Sequence, residues 1–369
     1  MNVLLRLRLV VLCTLLSCCF FSVVHADVCT GCHAQGREGV YGVHRNGVAN
    51  CNMCHVMHNS QDGTIVDPTS PGGNQWLLVR DTPSDVCLMC HAGVMGNVFG
   101  NDPMNPPREV GGGNFCFLLE DNLNDGYGGA MNPIPGDDAG HNIVAPSFNV
   151  GADATLTTAP GGTFPSAHLG CTSCHDPHGN QNFRMLNGVG WVQNDLYEFA
   201  NPAPDAYGLS IYHGQERANR HTAYYEGVSA WCGNCHPDIH AAGTNHVHIT
   251  NEPIGQDVAS YYNAYDGTLD ILGGDQTSAY LPAVPFEDPT IQYTSTSGPT
   301  GASKVMCLTC HRAHASSAPN SGRWDFNVTH VNDDGQASGS YAIPNPYADP
   351  AQRSLCNKCH RKDEFDAVP

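Results

Sequence analysis

Residues 51–60 read CNMCHVMHNS. The first five form Cys-x-x-Cys-His, the attachment signal for c-type haem. In that chemistry two thiols become thioethers on one edge of the porphyrin, and the adjacent histidine is delivered beneath the iron as an axial ligand. A second histidine, His58, follows three residues after His55. Two intervening residues span about 10 Å at full stretch. With Cys51 and Cys54 pinned to one porphyrin edge, His58 does not easily travel round to the far face of its own iron, but it can reach the iron of a different haem. The pattern recurs as CTSCHDPH (171–178) and CLTCHRAH (307–314), and in a variant, CGNCHPDIH (232–240), where His240 lies four residues after His236. Such turns tie haems together in near contact, as fast electron transfer between them requires.

The chain has 369 residues and 18 cysteines. Cys13, Cys18 and Cys19 fall in the segment MNVLLRLRLVVLCTLLSCCFFSVVHA. Its arginines Arg6 and Arg8, the apolar run 9–24 and the small-residue end Val24-His25-Ala26 read as a secretory signal peptide covering 1–26. The run is short for a membrane anchor, and apolar residues continue past Cys18, against a lipoprotein. The expected mature chain, 27–369, is one heptahaem domain. Fourteen of its cysteines form seven motifs: Cys29 and Cys32, Cys51 and Cys54, Cys87 and Cys90, Cys171 and Cys174, Cys232 and Cys235, Cys307 and Cys310, Cys356 and Cys359. Only Cys116, between Phe115 and Phe117, is left over, and it reads as a buried, inert thiol. Disulfides need no histidine at a fixed offset, and zinc knuckles need four ligands without a fixed Cys-His. Seven haem c groups are therefore expected, with His33, His55, His91, His175, His236, His311 and His360 as proximal ligands.

Twelve further histidines remain for the distal positions: His44, His58, His141, His168, His178, His213, His221, His240, His246, His248, His314 and His330. Every iron can thus be bis-histidine. Seven haems leave about fifty residues each, too few to build a stable core alone. The macrocycles then supply the apolar interior, which accounts for a chain with 40 glycines, 25 prolines and only 14% charged residues. The expected fold is mostly coil with short helices wrapped around a chain of closely packed haems. A turn of helix is expected at each motif, a longer helix over 257–264, and Gly/Pro-rich loops at 126–140 and 201–208. The formal charge of −19 becomes −21 when Arg6 and Arg8 leave with no acid, which excludes nucleic acid as a partner. The acidic loops at 137–138 and 332–335 read as solvated turns, since no regular calcium-loop spacing is present.

Several segments extend beyond the bare motif: residues 44–60 (HRNGVANCNMCHVMHNS), GHNIVA (140–145), TLTTAPGGTFP (155–165), CTSCHDPHG (171–179), WCGNCHPDIH (231–240), CLTCHRAHAS (307–316) and LCNKCHRKD (355–363). In these the chain resembles the OmcS-like outer-surface multihaem c-type cytochromes of metal-reducing bacteria, whose six-haem subunits polymerise into conducting filaments. The resemblance implies His44, His58, His141, His178, His240, His248 and His314 as distal ligands. It also implies that His58 ligates the haem on Cys307 and Cys310 of the next subunit. The motif at Cys29 has no counterpart in that family, and His330 and His221 are candidates for its distal ligand. The distal ligand at Cys87 is left open.

Two other functions compete with an extracellular conduit. A multihaem reductase of a small nitrogen or sulfur oxyanion needs an iron with an open site, often marked by a lysine ligand. Here Lys304, Lys358 and Lys362 are the only lysines and histidines are in surplus, so no enzyme activity is expected. A periplasmic shuttle would carry the same haems without polymerising. Expected partners are copies of the chain itself, other electron-transfer cytochromes and external acceptors such as metal oxides.

Overall fold

A computed structural model describes residues 51–93, 98–100, 111–119, 123–124, 133–134, 136–194, 196–209, 216–239, 248, 250–267, 273–326, 328–333, 346–347, 349 and 351–360. The signal segment, Cys29, Cys32, His33, His44 and His240 lie outside these residues.

The described chain is mostly coil. Its helices are α1 (Cys51–Cys54), α2 (Pro83–His91), α3 (Cys171–Cys174), α4 (Val228–Cys232), α5 (Gly255–Ala264) and α6 (Cys307–Cys310). All but α5 carry a Cys-x-x-Cys-His motif or open one, and the motif at Cys356 lies on a 3-10 turn, Leu355–Lys358. The longest, α5, contains the helix expected over 257–264 and starts two residues earlier. Among the described residues there are four antiparallel two-stranded pairs: β1 (Ser60–Gln61) with β2 (Thr64–Ile65), β3 (Leu123–Asn124) with β4 (Pro133–Ile134), β5 (Val192–Gln193) with β6 (Tyr197–Glu198), and β7 (Asp205–Tyr207) with β8 (Ala223–Glu226). Strands this short carry no alternating pattern, so the sequence does not announce them.

The apolar interior is divided. One cluster gathers Tyr262, Tyr280, Phe286, Trp324 and Leu355, with Cys310, Cys356 and Cys359 at its margin. Another joins Leu88, Phe99, Phe115, Ile143 and Val150, with Cys171 beside it. Three smaller ones surround Cys116, Val79 and Met306. Each of these clusters but the one at Cys116 touches a motif cysteine. Cys116 is fully buried, as expected.

Among the described residues no helix is long and apolar enough to cross a membrane.

Candidate haem-attachment and ligand sites

Short helices place successive motifs thiol to thiol. Cys87 is hydrogen-bonded to Cys171 and Cys232 to Cys307 through their side chains. Cys54 lies within electrostatic reach of Cys90, Cys174 of Cys235, and Cys310 of Cys356 and Cys359. The six described motifs therefore follow one another in space in sequence order. The two hydrogen-bonded junctions share a device. Ser84 Oγ accepts the Cys171 N–H at 3.2 Å, and Ser229 Oγ accepts the Cys307 N–H at 3.0 Å. Each serine stands three residues before the first cysteine of the preceding motif, so S-x-x-C-x-x-C-H is a sequence signal for the junction.

The proximal imidazoles are oriented by backbone carbonyls. Nδ1 lies 2.9 Å from Trp76 O in His55, 2.9 Å from Arg184 O in His175, 2.8 Å from Pro160 O in His236 and 2.9 Å from Asn320 O in His311. A carbonyl only accepts, so each Nδ1 carries the proton and Nε2 is left as the basic nitrogen, the arrangement metal-binding histidines require. His141 has the same partnership with Ala313 O at 2.8 Å.

Three of these carbonyls belong to one repeated unit. After each doubled motif comes a 3-10 turn, at Gln75–Leu77, Phe183–Met185 and Pro319–Ser321. In each turn two non-glycine residues adopt positive φ: Trp76 and Leu77, Arg184 and Met185, Asn320 and Ser321. The turn bonds back to its motif in the same register each time, with Val56 N to Leu77 O, Asp176 N to Met185 O and Arg312 N to Ser321 O.

The segments TAPGGTFP and GHNIVA serve two further histidines. The first folds into a hairpin against CGNCH, where Gly161 O accepts the Asp238 N–H at 2.8 Å. A Cβ on Gly162 would stand 2.0 Å from Cys235 O, so the close approach demands glycine. The second docks on the 307–314 motif through His141 N to His314 O, 2.9 Å.

The rings then meet in pairs. His55 and His178 have centroids 6.3 Å apart and planes 6° off parallel. His141 and His236 are 6.1 Å apart, and His248 and His360 are 5.8 Å apart. His314 is half-buried and lies near enough to His175 to feel its charge. Burial holds its imidazole down to about 3, so its nitrogen stays unprotonated. An iron held about 2 Å from each of two imidazole nitrogens sets the ring centroids about 6 Å apart. The separations seen are too wide for ring stacking, and they fit haem iron between the rings.

Two of the expected ligands stand otherwise. His58 is exposed on a left-handed turn, φ 58°, locked by the buried Asn59 amide, whose Nδ2 donates to Asp67 O and Ser70 O at 2.7 Å each. Met57, Ile65, Trp76 and Leu77 around it are more than half exposed. His311 meets the ring of Phe326 edge-on at 5.6 Å. Neither His58 nor His311 belongs to one of the ring pairs described above.

His221 corrects an expectation. It is fully buried, its Nδ1 is 2.9 Å from Thr222 O, its Nε2 is 2.9 Å from Ser295 O, and it stacks on Tyr280 at 3.6 Å. With both nitrogens committed to carbonyls it has none for iron. His330, 3.8 Å from Asp333, keeps a ring open to solvent.

Lys358, inside the last motif, was not foreseen as a site residue beyond its being a lysine. It is fully buried, and its ammonium donates to Tyr265 O at 2.8 Å. Burial pulls the ammonium down to about 7, against the charges of Cys359 and Asp266, which favour its protonated form, and its Nζ sits over the ring of Tyr262.

Comparison with known proteins agrees with this geometry. A family described as the doubled CXXCH motif matches residues 165–195. The C-type cytochrome OmcS of Geobacter sulfurreducens is 35% identical over 92% of this chain and 99% of its own length. Two solved structures from that organism each cover 87% of this chain and all of theirs. The OmcS nanowires are 32% identical with a TM-score of 0.74, and the outer membrane cytochrome S filament is 31% identical with a TM-score of 0.75. Paired imidazoles, motifs in file and similarity over nearly the whole length lead to one statement: the chain belongs to the OmcS family of multihaem c-type cytochromes and binds haem c.

Proposed function

We propose that residues 27–369 form one exported electron conduit of seven haems that polymerises outside the cell. Haem iron supplies a one-electron ferric–ferrous couple. The chain holds the irons and fixes their order. Cys29 and Cys32, Cys51 and Cys54, Cys87 and Cys90, Cys171 and Cys174, Cys232 and Cys235, Cys307 and Cys310, and Cys356 and Cys359 carry the thioethers. Ligand pairs are His55 with His178, His236 with His141, His175 with His314, and His360 with His248. His33 and His91 are proximal ligands whose partners are not assigned, and His44 and His240 remain distal candidates. The observation that carries this reading is the set of imidazoles facing one another about 6 Å apart, with Nδ1 tied to a carbonyl in His55, His141 and His236.

Filament growth rests on His58 and His311. An exposed histidine on a rigid turn, ringed by apolar side chains, suits ligation of the His311 iron in the next copy, and the two solved relatives are a nanowire and a filament. Bound haems would supply the electron path with no substrate turned over, so the chain is a carrier and not an enzyme. The mass of the secreted protein should exceed that of its polypeptide by seven haems. Its ferric spectrum should be low-spin, and cryo-microscopy of the medium should show filaments. Six haems would remove the Cys29 site, and discrete particles at all concentrations would leave a shuttle.

A further inference from the structure

Burying an ammonium without a salt bridge to a carboxylate is costly, and a methionine would fill the same space at no such cost. Lys358 is nevertheless buried completely between Cys356 and Cys359. Its Nζ sits 4.3 Å over the ring of Tyr262 and 5.7 Å from those of Tyr265 and Tyr347. Among the described residues no carboxylate makes a salt bridge to it, and the nearest acidic influence is the charge of Asp266, an exposed residue just after α5.

The cage is held rigidly. The Tyr262 hydroxyl donates to Val284 O at 2.8 Å and accepts from Leu281 N at 3.1 Å. The Tyr347 hydroxyl donates to Tyr265 O at 3.2 Å, and the Gln352 amide donates to the Tyr265 hydroxyl. Tyr265 follows α5 directly, so the longest helix of the described chain is anchored to the last motif through this side chain. The charge also reaches the Cys359 sulfur, where the porphyrin is attached on the reading above.

We propose that Lys358 is a potential-setting residue. Its buried positive charge favours the ferrous state of the haem on Cys356 and Cys359. The inference rests on that haem being present. The step is a one-electron reduction of ferric iron by a neighbouring haem, with no proton transferred and no bond broken. A charge about 10 Å away in a medium of effective dielectric about 20 changes a one-electron equilibrium about tenfold.

The test is spectroelectrochemical titration of the holoprotein in mildly acidic buffer, comparing K358M and K358Q with K358R and wild type. One one-electron component should move to lower potential in the neutral variants by about 59 mV, the equivalent of a tenfold change. It should stay near its wild-type position in K358R and in Y262F, which keeps the ring face. The shift should persist at high salt, because a buried charge is poorly screened. The proposal is overturned if a neutral variant loads every haem and its titration is unchanged, or if K358R moves as far as K358M. Absence of haem on Cys356 and Cys359 in the wild-type mass would instead overturn the underlying reading.

Discussion

Replacing Gly162 by alanine should pry the 157–165 hairpin away from the motif at Cys232. The new Cβ would lie 2.0 Å from Cys235 O, and carbon atoms do not tolerate contacts under 3.0 Å. Hairpin and motif must therefore part by about 1 Å. Two hydrogen bonds cross that gap, His236 Nδ1 to Pro160 O and Asp238 N to Gly161 O, each 2.8 Å. Opened by about 1 Å, both pass the distance at which a hydrogen bond still counts. Each is worth about 0.5–1.5 kcal/mol, so the variant should lose about 1–3 kcal/mol. The imidazole also loses the acceptor that fixes its tautomer, which weakens metal-ligand bonds about 10–100-fold in comparable sites. Denaturant unfolding followed in the Soret band measures the first effect, and the high-spin fraction of the ferric spectrum measures the second. Gly151→Ala is the control, because a Cβ there meets nothing within 4 Å. If Gly162→Ala unfolds and absorbs like Gly151→Ala, the hairpin does not orient His236 and the reasoning is wrong.

His58→Ala should leave the subunit folded and turn one iron per chain partly high-spin, with filaments shortened or lost in electron micrographs; filaments of unchanged length would rule out ligation across the interface. His221→Leu should lower the melting temperature yet leave haem count and spin state as in wild type, because that ring bonds only carbonyls and stacks on Tyr280; a new high-spin iron would restore it as a ligand. Acid should destabilise the fold early. His314 stays neutral to about 3 against 6.5 in the unfolded chain. The unfolded state thus takes up a proton first, and stability present above pH 6.5 is lost progressively as pH falls towards 3. Chemical denaturation at a series of pH values checks this, and a flat profile across that window would contradict it.

The reach of the short C-x-x-C-H-x-x-H turn makes His178 a partner for some other motif, and the ring it faces is that of His55. Which motif it would be could not be read, because the two come from segments joined only through tertiary packing. His141 and His248 were indicated by resemblance alone; nothing in their local spacing points to His236 and His360. The carbonyls of Trp76, Arg184 and Asn320 were invisible. A backbone oxygen has no residue signature, and the positive φ at these turns falls on side chains other than glycine. His221 was indistinguishable from a ligand, since a surplus histidine declares its role only through what its two nitrogens touch. Helix α5 was legible from its own pattern, whereas the two-residue strands were not.

The histidine pairs have a topological consequence. With His175 and His314 paired as proposed, the intervals 55–178, 141–236, 175–314 and 248–360 overlap, so every peptide bond between residues 55 and 360 would lie inside at least one loop closed by a pair of imidazoles. With iron bridging each pair, a protease that nicks an exposed turn between those residues frees no fragment. The cut ends stay clasped through metal, and the haem path is unbroken because no electron need cross the severed bond. Damage would show on a gel run after haem removal and not in the conductance. A chain built this way tolerates cleavage of its connecting loops.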